Sequence, residues 1–277
     1  MKKIGLYLLS LLFLFVYVDK IKAVEEISTE KSADSLVITA PPVVLNLDPF
    51  YKKYIDANGI PIVSSWRVPN RAILQARSIV VYMTSILPKP VLDKMKASKL
   101  RVGVMGRYEG TTNIPEHHHL VNDTSLNWDL RARGLGGDLE LPLTTCAEEN
   151  LLCYQIDKYH AEDILIHEFA HSIHLIGIVQ VDTTINTRLQ SALNAAKAAG
   201  KWKDTYAATD IYEYFAEGVQ DWFNVNAEVP VPDGKHCYVN TRDELKDYDP
   251  TLYAIIKEYF SETTDCISCH SIPFNKK

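Results

Sequence analysis

Residues 164–174 read ILIHEFAHSIH and hold three of the nine histidines of the chain. Ile164, Leu165, Ile166, Phe169, Ala170 and Ile173 recur at helical spacing, so the stretch predicts a helix with a core-facing side. His167, Glu168 and His171 spell H-E-x-x-H. Residues four apart share one helix face, about a turn from each other. Two imidazoles so placed reach one Zn²⁺, while the intervening glutamate is offset and addresses a water on the metal. Zinc lowers the pKa of such a water towards neutrality, and the glutamate takes its proton as the water attacks a carbonyl. His174 lies about 10 Å further along from His167, at ~1.5 Å per residue, and is read as a cleft, supporting or core residue.

An open zinc site needs a third protein ligand. The stretch DIYEYFAEGVQDWF, 210–223, supplies one. Glu213 and Glu217 are four apart on one face, and Tyr214, Phe215, Val219, Trp222 and Phe223 provide apolar packing. Charged groups in so aromatic a helix want partners, and a metal with its histidines is one. Glu213 is therefore expected on the zinc, and Glu217 behind it, orienting His167 or another ligand.

HEFAH at 167–171, EYFAE at 213–217, and Tyr206 seven residues before Glu213 together resemble the gluzincin metallopeptidases. Within them the chain is most similar to the catalytic domain of anthrax lethal factor and lethal-factor-like proteins, over roughly residues 100–260. The resemblance implies one zinc held by His167, His171 and Glu213, Glu168 as general base, and Tyr206 facing the substrate carbonyl or leaving group. A phenol aimed at a developing oxyanion would stabilise it as an oxyanion-hole hydroxyl does. The other domains of that toxin are not seen, so no toxin role is implied.

Working outward, Lys2 and Lys3 precede an apolar run at 4–18, short for a membrane span. Residues 1–23 are expected to be a secretory signal, cut after Ala23. The expectation is a secreted, extracellular protein with no stable membrane insertion after cleavage. The net charge of −6 would become −9 without Lys2, Lys3, Asp19, Lys20 and Lys22. No clustered basic face points to nucleic acid, and no repeat is visible. Five cysteines fit an oxidising compartment. Cys146 and Cys153 are expected to pair across a short loop, and Cys237 with Cys266 or Cys269, leaving one thiol. CISCH at 266–270 matches a haem-attachment pattern, but a disulfide is the better reading there. Asn122-Asp-Thr124 is a glycosylation sequon.

Residues 24–41 read as a flexible leader and 42–277 as one zincin-like metallopeptidase domain. The fold class expected is α+β, with a small N-terminal sheet and helices followed by a helical C-terminal half. PIVSSWRVPN (61–70) reads as turns, with Asn70 capping a helix over 71–87. Pro90 opens a short helix, and residues 100–106 form a buried strand. Later helices are expected over about 161–176, stopped by Gly177, 187–199, stopped by Gly200, 210–223, and from Asp249-Pro250 to Tyr259. PEHHHL at 115–120 reads as a solvated loop. RARGLGG at 131–137 reads as an edge strand or loop able to pair with an extended substrate backbone. Arg131 and Arg133 are weighed there as substrate contacts, and Glu148-Glu149-Asn150 as cleft-lining residues.

The reading expects a secreted zinc-dependent endopeptidase acting on a peptide or protein. Its rivals are a non-catalytic secreted zinc-containing binding protein on the same fold and a zinc hydrolase of a non-peptide amide or ester.

Overall fold

The computed structural model describes residues 36–265 and 267–273. The expected signal at 1–23, most of the expected leader, and Cys266 lie outside them. Thr39 and Tyr54 exchange backbone hydrogen bonds at 3.0 and 2.8 Å, so pairing starts three residues ahead of position 42.

Strands β1 (Lys53–Ala57) and β2 (Ile60–Ser64) form an antiparallel hairpin. Asn58-Gly59 joins them, both at positive φ, which is the pair a tight two-residue turn favours. The turn-rich reading of 61–70 is thus corrected: its first four residues are strand. Helix α1 (Asn70–Ser85) follows. Asn70 is its first residue and not its cap, because its Oδ1 accepts from Lys53 Nζ at 2.8 Å. Helix α2 (Lys89–Ala97) has Pro90 in its first turn, as expected. Strand β3 (Arg101–Met105) then lies parallel to β2.

An irregular stretch carries a 3-10 turn at Pro115–Asn122, helix α3 (Trp128–Arg131) and strand β4 (Gly134–Leu135). Within that turn His118 and His119 are exposed, but His117 is buried, which corrects the fully solvated reading. Strand β5 (Leu143–Ala147), buried throughout, pairs parallel with β3, and β4 lies antiparallel on its other side. The sheet order is β1-β2-β3-β5-β4, with β4 at an edge.

Helices fill the remainder: α4 (Glu148–Leu151), α5 (Ile164–Ser172), α6 (Ile185–Ala198), α7 (Ile211–Trp222), α8 (Arg242–Tyr248) and α9 (Pro250–Lys257). Side-chain caps set four of these starts, with Thr241 accepting from Glu244 N at the head of α8. Asp163 accepts from Ile166 N, Asp210 from Tyr212 N and Glu213 N, and Asp249 from Leu252 N. Gly200 has φ +75° beyond α6, as a left-handed cap requires. Gly177 behaves otherwise. Helix α5 runs on through a π-helical turn (Ile173–Gly177) and a 3-10 turn (Ile178–Gln180), with Gly177 at φ −89°. A Cβ there would meet Val91 Cγ1 at 2.7 Å and Met95 Cγ at 3.0 Å, so this glycine permits close packing on α2.

Helix α1 packs on β1, β2 and β3, while α5 packs on β4 and β5 and against α7. The class is α+β in a single domain, with the described residues from Thr39 onward forming one compact unit. No helix among the described residues is long and apolar enough to cross a membrane.

The cysteine pairing expected from spacing is overturned. Cys153 is bonded to Cys269, 116 residues away, and Cys146 and Cys237 are buried free thiols. Cys146 sits fully buried on β5, whereas Cys153 lies exposed beyond α4, so closeness in sequence does not bring their sulfurs together.

Candidate metal centre

Helix α5 brings His167, Glu168 and His171 to one side, while Leu165, Ile166, Phe169 and Ala170 are fully buried on the other. The start of this helix is pinned twice. Asp163 Oδ1 caps it, and Asn150 Oδ1 accepts from Ile164 N at 2.8 Å while Asn150 Nδ2 donates to Glu162 O and Asp157 Oδ2. Fully buried Tyr214, Phe215 and Trp222 anchor α7. Burying each such ring contributes roughly 1.5–3 kcal/mol, enough to hold the helix and present Glu213.

Three atoms converge. His167 Nε2 is 3.1 Å from His171 Nε2 and 3.1 Å from Glu213 Oε2, and His171 Nε2 is 3.5 Å from Glu213 Oε2. A tetrahedral ion bonded at 2.0–2.1 Å has ligand–ligand edges of about 3.3–3.4 Å, so these residues fit one face around a metal cation. Two imidazoles and a carboxylate meeting at one point are stabilised by positive charge between them, carried by a metal ion or by protons on the imidazoles. The histidines hold the Glu213 carboxyl far below its usual range, outweighing the burial that would raise it.

A residue the sequence reading passed over sets the histidine. His167 Nδ1 lies 2.7 Å from Gln220 Oε1. The Gln220 amide nitrogen donates to Glu162 Oε2 at 3.3 Å and Asp163 O at 3.2 Å. The amide so oriented turns its oxygen to Nδ1 as an acceptor, which puts a proton on Nδ1 and makes Nε2 the nitrogen a neutral His167 offers to a metal. Gln220 is seven residues beyond Glu213, on the same face of α7; that spacing was the available signal.

Glu217 is buried close by. Its Oε1 is 3.7 Å from His167 Nδ1, and its Oε2 accepts from Asn226 Nδ2 at 3.1 Å. Burial pushes its carboxyl up to about 7. Glu168 lines the cleft half-buried, and burial raises its pKa despite the opposing pull of His167 and His171. Tyr206 N donates to Lys235 O at 2.8 Å, and its ring lies nearly parallel to that of His167, centroids 6.4 Å apart. Burial and then Glu213 raise its hydroxyl pKa, so it stays a neutral donor.

These groups open on a cleft of about 400 Å³, also lined by Arg131, Gly134, Leu135, Gly136, Lys235 and His236. The glycines let β4 lie close to α5: a Cβ on Gly134 would meet Ile164 Cγ2 at 2.5 Å, and one on Gly136 would meet His171 Cβ at 2.6 Å. Several weighed residues stand apart. Arg133 is paired with Glu149 at 2.6 Å, and neither lines the cleft. His174 is fully buried, its Nε2 2.8 Å from Asn186 Oδ1, between the rings of Tyr212 and Phe215. A second group, Cys153, Cys269 and His270, has metal-like spacing, but its two sulfurs are joined to each other.

No protein-family profile matches the chain, and no curated protein sequence does. In structure the chain is similar to the PRO-PRO endopeptidase PPEP-2 from Paenibacillus alvei. The identity is 17% and the TM-score 0.48, over 71% of this chain and 96% of that one.

Proposed function

We propose that the chain is a secreted zinc-dependent endopeptidase of gluzincin type, similar to lethal-factor-like catalytic domains. The observation that carries this reading is the meeting of His167, His171 and Glu213 beside Glu168 in an open cleft. In this reading residues 1–23 are the signal, 24–41 a leader, and 42–277 the enzyme.

One zinc on the three ligands supplies Lewis acidity and a water acidic enough to give up its proton near neutral pH. Glu168, half-buried in the cleft beside the ligands, would take up that proton and pass it to the leaving amine. The Tyr206 hydroxyl donates to the oxygen that gains charge when the carbonyl is attacked. Gln220 keeps His167 in the tautomer that leaves Nε2 free, with Glu217 buried beside it.

A peptide is favoured over another amide or ester by β4. That strand is paired on one side only and lines the cleft. An extended backbone can add to such an edge. A purely binding role leaves Glu168 without a task.

Glu168→Gln is the test. Hydrolysis of a peptide library should fall on the order of 10²–10⁴-fold, with bound zinc unchanged. Undiminished hydrolysis in that variant would exclude the mechanism.

A further inference from the structure

The cleft carboxylates other than Glu168 are already engaged. Glu213 faces the two histidines, Glu217 accepts from Asn226, and Glu162 accepts from Gln220 and stands 3.4 Å from His236. The cations of the same region are not matched. Arg131 and Lys235 line the cleft. Lys158 donates to the carbonyl oxygens of Leu130 and Arg131 at 2.7 and 3.1 Å, which fixes its ammonium against the Arg131 backbone.

Among the described residues, none of these three side chains has a carboxylate oxygen within 4.0 Å. The contrast within the chain is plain, since Arg101 pairs with Glu116, Arg133 with Glu149, and Arg188 with Asp182 and Glu258. Crowding has a cost as well. Burial first, and then Arg131, Arg133 and Lys235, hold Lys158 below its usual pKa. Arg131 and Lys235 line the same cleft as Tyr206, so they border the place where a scissile carbonyl would sit in the peptidase reading. In a chain of net charge −6, two cleft cations without a carboxylate within 4.0 Å are not a consequence of composition. It is relieved by an anion arriving with the substrate.

We infer that Arg131 and Lys235, with Lys158 held against the Arg131 backbone behind them, form a subsite for a substrate carboxylate, making the protein selective for peptides with Asp or Glu flanking the scissile bond. This rests on the peptidase reading, and its test keeps the two separable. Peptides differing only by Glu or Gln are compared, with the pair moved through each position in turn. Binding is measured by fluorescence anisotropy to zinc-loaded Glu168→Gln, and cleavage is measured with the wild type.

At one position the Glu peptide should bind about tenfold tighter, the scale of one charge-assisted hydrogen bond. The advantage should shrink as salt is raised. It should vanish in Arg131→Gln/Lys235→Gln and reverse in Arg131→Glu/Lys235→Glu; if the reversed protein fails to fold, the neutral pair decides. Equal binding at every position, or an advantage that survives the neutral pair, overturns the subsite. Cleavage of both peptides at equal rates, with no binding preference, removes the subsite and leaves the peptidase standing. A binding preference without cleavage of either peptide keeps the subsite and removes the peptidase.

Discussion

His167 Nδ1 and Gln220 Oε1 lie 2.7 Å apart across the contact between α5 and α7. The amide nitrogen of Gln220 is committed to Glu162 and Asp163, so the oxygen has one orientation and the imidazole one tautomer. Partners of this kind are worth 10–100-fold in metal affinity. Gln220→Ala should weaken zinc retention by about that factor while the fold persists. Competition with a chromogenic chelator measures it; an affinity equal to wild type would show that Gln220 does not orient the ligand.

The second prediction concerns close approach. Gly136 has no room for a methyl group, because His171 Cβ would be 2.6 Å away and Glu168 O 3.2 Å away. Gly136→Ala must push β4 from α5 or tilt His171. Overpacking costs typically 1–3 kcal/mol, and the metal affinity should fall with it. Urea midpoints and zinc titrations of the variant report both effects. An unchanged midpoint together with unchanged zinc affinity would contradict the packing described.

The Cys153–Cys269 bond closes a loop across 116 residues, and the segment it fastens also meets Asn150, the residue that pins the start of α5. Cys269→Ser should cost roughly 2–5 kcal/mol, seen in urea unfolding. Cys146→Ser tests the rejected pairing. Non-reducing peptide mapping of that variant should still show the 153–269 bridge, whereas a 146–153 bridge in the wild type would refute the assignment.

His117 predicts an acid limb. It is buried, its Nε2 has no hydrogen-bond partner among the described residues, and burial lowers its pKa from 6.5 to about 4. The folded-state pKa is below the unfolded one, so the unfolded chain takes up the proton first. The contribution is complete above about 6.5 and is lost as the pH falls towards 4. The loss is on the order of 2–3 kcal/mol. His117→Leu should flatten the fall in urea midpoint over this range, and identical profiles for the two proteins would remove His117 as the cause.

Much of the helical half was readable because its signals are local. Asp249 caps where the sequence placed it, the helix expected over 210–223 spans Ile211–Trp222, and the apolar character of 164–173 described the buried face of α5. The hairpin was equally local, since Asn58-Gly59 announces it, but the prolines around it drew the reading towards turns. What stayed hidden depends on partners distant in sequence. Cys269 meets Cys153 only after the chain has closed on itself, and Gln220 gains its meaning from Glu162 and Asp163. The glycines of 134–137 look like loop residues until α5 lies against them. Gly177 carries no left-handed backbone to mark a stop, because the helix tightens and widens through it while α2 packs on its bare face.

The proposed function depends on a metal at His167, His171 and Glu213. The direct measurement is bound zinc per chain, by inductively coupled plasma mass spectrometry, on the purified wild type beside His171→Ala and Glu213→Gln. The geometry predicts one zinc in the wild type, loss of it in His171→Ala, and weakened retention in Glu213→Gln. A wild type that holds no zinc after reconstitution, or a zinc that survives both substitutions, would contradict it and leave α5 a core helix that carries histidines.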